Sequence, residues 1–272
     1  MAQVDYLMLE TPQPEALQRF YCEQMGFDAL DQGDGTLLLE GPSRRLVVMP
    51  GPVPRLAEVG FAVASGEHLR LGRARLETCP GFQAIEWPLF QGEAYSVVDP
   101  EGVRLVFGVS QGQALGAGNA LGARLQHVGI STSNVPAMRE FYFDKLGFLM
   151  SDEVFGDDGT LRSIFVRSSP EHHCVAVFGN GGSGFDHMSF EAPNWNGIRD
   201  WADHFARFGT KQFWGPGRHG VGNNLFLFVL DPDGRMVEIS AELDLLPNDY
   251  VPGRWAFDYK AYNLWGAAAI RV

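Results

Sequence analysis

The chain has 272 residues, 45% of them hydrophobic and 12% aromatic, enough to bury a sizeable core in one large or two medium domains. Its formal net charge of -12 excludes an electrostatic footprint for nucleic acid and disfavours an anionic membrane surface. Met1 to Asp5 lacks the basic and apolar regions of a secretory signal, no apolar run has bilayer-spanning length, and the three scattered cysteines Cys22, Cys79 and Cys174 fit neither a disulfide framework nor a zinc knuckle, so a soluble cytoplasmic protein is expected.

In chain order, Val4 to Leu9 opens the chain as an apolar strand-like segment, and Leu17, Phe20 and Tyr21 follow at helical spacing, with Gly26 as the stop. A second helix is expected around His68 to Leu76, and Asp99-Pro100-Glu101-Gly102 is a turn. Ser110 to Ala123 is Gly/Ala-rich without hydrophobic period and is expected to be a linker. The order then repeats. Leu125 to Ile130 matches Val4 to Leu9, Met138, Phe141, Tyr142 and Gly147 match the first helix and its stop, and Asp231-Pro232-Asp233-Gly234 matches the turn. Leu161 to Arg167, Cys174 to Phe178 and Leu225 to Leu230 are strand-like, and residues near 192 to 208 form the second helix of this half. Each half reads as a strand, a helix and three strands. The expected division is residues 1–110 and 124–245 as two modules, 111–123 between them, and 246–272 as an aromatic-rich tail that closes over the open side.

Three residues break the apolar pattern of the second half. His127, His187 and Glu238 each sit on a β-rich apolar segment, where an ionised Glu is costly without a counter-charge. Two imidazoles and one carboxylate hold an Fe(II)-type ion on one face and leave the opposite face open; Mn(II) suits the same ligands. In the first half the matching positions are Tyr6, Glu58 and Val106, too few ligands for a metal. Gly129, two residues after His127 and on the same strand face, is expected to leave room for a substrate.

The repeated module, with a His in the first strand, a His opening the second half-module and a Glu in the last strand, resembles the vicinal oxygen chelate (glyoxalase, bleomycin resistance, dioxygenase) superfamily. Within it, a two-module chain with ligands only in the second module is similar to the type I extradiol ring-cleaving catechol dioxygenases, as is the tail run Tyr262-Asn263-Leu264-Trp265-Gly266. The resemblance implies an α+β fold of tandem modules, each a pair of βαβββ repeats or a degenerate version, whose mixed sheets curl around a metal-binding cup. It implies catechol and dioxygen as substrates and a homo-oligomer. It also implies that His173, replacing Arg45 of the first module, handles protons, that His219 hydrogen-bonds the bound catecholate, and that Phe228 lies against the substrate where many such enzymes carry a tyrosine. Tyr250, Tyr259 or Tyr262 is then the candidate for a compensating hydroxyl. His172, His68 and His204 are expected to be bystanders. A metal-dependent glyoxalase-like isomerase or lyase, with Glu58 as its foothold, and a non-catalytic small-molecule-binding module of the same superfamily stay open beside the dioxygenase.

Overall fold

In a computed structural model, which describes residues 2–112, 121–182 and 184–266, β1 (Ala2–Thr11) leads into α1 (Pro14–Arg19), which runs on as a π-helical turn through Gln24. Gly26, at φ 66, then turns the chain where a side chain would be strained. Next come β2 (Asp28–Asp31), β3 (Leu37–Gly41) and β4 (Arg44–Pro50). The same sequence of elements recurs as β5 (Arg55–Val63), α2 (Gly66–Leu76), β6 (Gln83–Glu86), β7 (Phe90–Val98) and β8 (Arg104–Ser110). Each half therefore holds the strand, helix and three-strand unit twice, one more than the hydrophobic periods of each half predict.

The second half repeats this. Its elements are β9 (Arg124–Ser131), α3 (Val135–Arg139), β10 (Leu149–Phe155), β11 (Leu161–Arg167) and β12 (Val175–Phe178), then β13 (Gly184–Glu191), α4 (Trp195–Arg207), β14 (Gln212–Arg218), β15 (Leu225–Leu230) and β16 (Met236–Ala241). A tail strand, β17 (Gly253–Ala256), and a short helix, α5 (Tyr259–Tyr262), follow. Most of the expected linker, residues 113–120, lies outside the described residues.

The fold is α+β. The first sheet has the order β2-β3-β4-β1-β5-β8-β7-β6 and the second the order β14-β15-β16-β13-β9-β12-β11-β10-β17. One face of each sheet feeds a core shared by both halves. Phe27 meets Phe190 and Phe61 meets Phe148 across the boundary, edge to face at 6.0 and 5.7 Å. Tyr21 donates to Asp231 at 3.1 Å and Tyr142 to Asp99 at 3.0 Å, a reciprocal pair that ties each half to the turn of the other. Helix α4 buries Ile198, Trp201 and Phe205, and its start is capped by the Asn194 side chain. Among the described residues no helix is long and apolar enough to cross a membrane.

The opposite face of the second sheet is a cup. Its central strands β9, β13 and β16 run side by side in the ladder, so inward residues of three strands meet at its floor.

Candidate metal centre

The ladder dictates which side chains converge. Ser189 pairs with both His127 and Glu238, and His187 pairs with Gly129 and Met236, which brings His127, His187 and Glu238 together on the cup floor. Their ligand atoms all lie within 4.8 Å of one another, the one such group of three or more among the described residues. All three are buried.

Two β-bulges decide how the imidazoles are held. The β9–β13 register slips at Gln126 and again at Asp186, each the residue just before a histidine of the triad. Both side chains thereby reach the imidazole beside them. Gln126 Oε1 lies 2.5 Å from His127 Nδ1, and its amide orientation is fixed because Nε2 donates to the His173 carbonyl at 2.7 Å. Asp186 Oδ1 lies 2.7 Å from His187 Nδ1, and Ser131 and Asn180 donate to its other oxygen. Each acceptor requires a proton on Nδ1, so neutral His127 and His187 both present a bare Nε2.

Those two Nε2 atoms are 3.0 Å apart, and Glu238 Oε2 lies 3.1 Å from one and 3.9 Å from the other. Three acceptors without a proton between them repel unless a cation joins them, and Glu238 Oε2 has no hydrogen-bond partner among the described residues. Burial pushes His127 down in pKa, and burial, His127 and His172 push His173 well below the ordinary histidine value. Burial alone would raise the Glu238 carboxyl, but protonated His127 and His219 beside it would hold it well below the usual range, and with both imidazoles neutral that positive charge is left for a cation to supply. Burial lowers His187 too, yet the Asp186 bond and charge outweigh it and the net shift is upward. The donor set therefore fits one divalent ion held by two neutral imidazoles and an ionised carboxylate.

Above the triad the cup is a cavity of about 300 Å³ walled by Phe165, Phe178, Trp214, Phe228, Phe257 and Tyr262, with His173 and His219 on its sides. Trp214 stacks on Phe228 at 5.3 Å, and Phe228 is the cross-strand neighbour of Glu238. His219 Nδ1 donates to the Tyr262 carbonyl, which leaves Nε2 as an acceptor 3.4 Å from Glu238 Oε1. Arg162 is the one Lys or Arg on the wall among the described residues, and it is paired with Asp158 at 3.1 Å.

Several expectations need correction. Gly129 does not leave room for substrate: a Cβ there would lie 2.3 Å from His187 Nδ1, so the space is filled by that ring. His173 does not replace Arg45. With Tyr6 matched to His127, β1 sets Leu7 opposite Leu46 and β9 sets Val128 opposite Val175, so Arg45 is matched by Cys174 and His173 stands at the position of Arg44, at the end of a longer connection into β12. His172 is no bystander; it is buried, with Nδ1 3.0 Å from His173 Nδ1 and Nε2 3.1 Å from Asp152 Oδ2. His204 is half-buried and its Nε2 donates to the Gln24 carbonyl at 2.8 Å, while His68 is exposed. Of the tail tyrosines only Tyr262 lines the cup, its hydroxyl 3.2 Å from Ser163 Oγ; Tyr250 bonds Asp152 and Tyr259 is exposed. Sequence reasoning missed Gln126, Asp186 and Asp152. The first two stand directly before a histidine of the triad, but strand alternation assigns them to the other face until the bulges are known.

The first half carries the same register with different chemistry. Tyr6, Glu58 and Val106 occupy the equivalent positions, and Tyr6 and Arg104 both bond Glu58. Burial raises the Glu58 pKa to about 6 against those contacts. The Tyr6 ring lies where a side chain at Gly60 would go.

Residues 124–239 match the model of the Glyoxalase/Bleomycin resistance protein/Dioxygenase superfamily. A biphenyl-2,3-diol 1,2-dioxygenase of Rhodococcus globerulus is 30% identical over 145 residues, which span 48% of this chain and 70% of that protein. The chain belongs to this superfamily. A further superfamily relative, metapyrocatechase 2 of Cupriavidus necator, is 32% identical over 145 residues, 53% of this chain. The match spans less than half of that relative's length, 44%. The homoprotocatechuate 2,3-dioxygenase of Brevibacterium fuscum, solved with 3,4-dihydroxyphenylacetate, shares the fold at a TM-score of 0.83 and 24% identity, covering 98% of this chain and 89% of that one.

Proposed function

We propose that the protein is a divalent-metal-dependent extradiol dioxygenase that opens the ring of an apolar-substituted catechol next to its two hydroxyls. The observation that carries the reading is the set of three proton-free acceptors on the floor of an apolar cup. His127, His187 and Glu238 would hold the ion, which as iron(II) supplies a Lewis acid for two vicinal oxygens and an electron source for dioxygen; manganese(II) suits the same donors. The relatives' names, a biphenyl-2,3-diol dioxygenase among them, support this class over the isomerase or lyase and the binding module.

The surrounding side chains do the rest. His219 Nε2 and Glu238 Oε1 both accept, so a catechol hydroxyl placed between them has a base for its proton. His173 stands over His127 with ring centroids 4.3 Å apart and is positioned to exchange protons on the same side. Trp214 and Phe228 give the catechol ring an aromatic wall, and the scarcity of polar wall atoms excludes water. Since the wall's single arginine is already paired, an alkyl or aryl substituent suits the cup better than a carboxylate.

Anaerobic iron(II) loading followed by oxygen uptake over a panel of catechols tests this. Alkyl and aryl catechols are expected to turn over with kcat/KM on the order of tenfold or more above carboxylated ones; a preference for the carboxylated members would refute the substrate assignment. Three free cysteines support placing the reaction in the reducing cytoplasm. Exposed apolar side chains such as Phe213 and Val251 support a homo-oligomer, which light scattering checks.

A further inference from the structure

We propose that Asp152 and His172 are positioning residues for His173, holding its proton on Nδ1 and turning a bare Nε2 to the cup. Asp152, on β10, and His172, before β12, are both buried, 2% exposed. The carboxylate is fully engaged. Oδ1 accepts from Gly253 N at 2.9 Å and Tyr250 OH at 3.3 Å, and Oδ2 accepts from Trp255 Nε1 at 2.9 Å with His172 Nε2 at 3.1 Å.

The protons follow from that inventory. An ionised carboxylate only accepts, so His172 Nε2 must carry the hydrogen. A neutral imidazole has one N–H, which makes His172 Nδ1 an acceptor. The atom 3.0 Å from it, His173 Nδ1, must then donate. His173 Nε2 is left as the nitrogen without a proton, and His173, not His172, lines the cavity. The ring's place is also fixed from behind, because Ser151 Oγ donates to the His172 carbonyl and Gln126 Nε2 to the His173 carbonyl. The tail shares this device: Asp152 binds the backbone and the indole of β17, so one carboxylate docks the tail and sets the imidazole. The expected effect on turnover rests on the dioxygenase reading above; the proton placement does not.

The test is two-bond ¹H–¹⁵N correlation of the full chain labelled in histidine and loaded with zinc(II), which is diamagnetic. His173 is expected to show a protonated Nδ1 and an unprotonated Nε2; the opposite tautomer would overturn the proposal. Asp152→Asn offers one acceptor where two oxygens now accept, so its amide must face either His172 or Gly253. Facing His172, it reverses the chain and moves the His173 proton to Nε2. His172→Phe keeps a ring in place but removes the link, and His173 is expected to become a mixture of tautomers; an unchanged spectrum would sink the idea. In the iron(II)-loaded protein both variants are expected to keep one metal per chain and lose kcat on the order of tenfold or more with little change in KM. Loss of iron together with rate would make the role merely structural and count against the proposal. If the parent takes up no oxygen with any catechol, the spectra still decide the proton placement, and only the reaction class falls.

Discussion

At the scale of the residue, the site is governed by where protons sit. His127 and His187 give theirs to Gln126 and Asp186, so removing Asp186 should change metal affinity without removing a ligand. Asp186→Ala is expected to weaken metal binding by about 10- to 100-fold, whereas Glu238→Ala should bind no metal at stoichiometric concentration and keep its circular dichroism spectrum. Isothermal titration with zinc(II) into metal-free protein reads both; equal affinity for parent and Glu238→Ala would remove the carboxylate from the ligand set. The triad itself was legible in the sequence, because two histidines and a glutamate on otherwise apolar strands have few reasons to be there. Gln126, Asp186 and His172 were not. Their roles depend on bulges and on a connection of irregular backbone, and neither leaves a periodic signal. Gly129 was singled out correctly as a position that needs to be bare but for the wrong occupant, since cross-strand pairing with His187 is a long-range fact.

At the scale of the element, the tail is a wall as well as an edge strand. Strand β17 adds parallel to β10, and Phe257, Ala261 and Tyr262 then form one side of the cup. A chain ending at Pro247 should keep the sheet and the three ligands yet lose that side. Metal content is expected to stay at one per chain, while KM for alkyl catechols rises by roughly tenfold, the equivalent of about 1.4 kcal/mol of lost apolar contact. Unchanged KM would show that the tail does not enclose substrate. The aromatic content of residues 247–265 pointed to this region, but its pairing with β10 did not follow from any local pattern. The strands and helices of the two halves were legible from period and turn residues. The hydrophobic periods alone marked one unit per half, where the family resemblance implied a pair, because short exposed strands such as β2 and β6 bury too little to show an alternation.

At the scale of the whole molecule, the duplication places two equivalent floors in one chain and equips only one. Tyr6, Glu58 and Val106 fill the first, so one metal per chain is expected. What the sequence did not reveal is that the halves share a core and cross-link through Tyr21–Asp231 and Tyr142–Asp99, contacts between residues more than forty positions apart. Burial raises Asp99 and Asp231 to about 6 despite these bonds. The folded chain therefore holds those protons more tightly than the unfolded one, and the stability they contribute is full below about pH 4 and lost as pH rises through about 6. Tyr21→Phe removes a donor to the ionised form of Asp231. It should cost about 1–3 kcal/mol above pH 6 and less below pH 4, read from denaturant melts across that range; a cost independent of pH would separate the bond from the titration.

The proposed function requires that a metal held by His127, His187 and Glu238 lets this cup open a catechol ring with dioxygen. It is tested most directly by supplying ¹⁸O₂ to the iron(II)-loaded protein with an alkyl catechol and weighing the product. One dioxygen should be consumed per catechol, with both labelled atoms found in a single ring-opened product and none formed by Glu238→Ala. A loaded protein that binds the catechol but consumes no oxygen, or returns it with the ring intact, would rule out ring cleavage at this site.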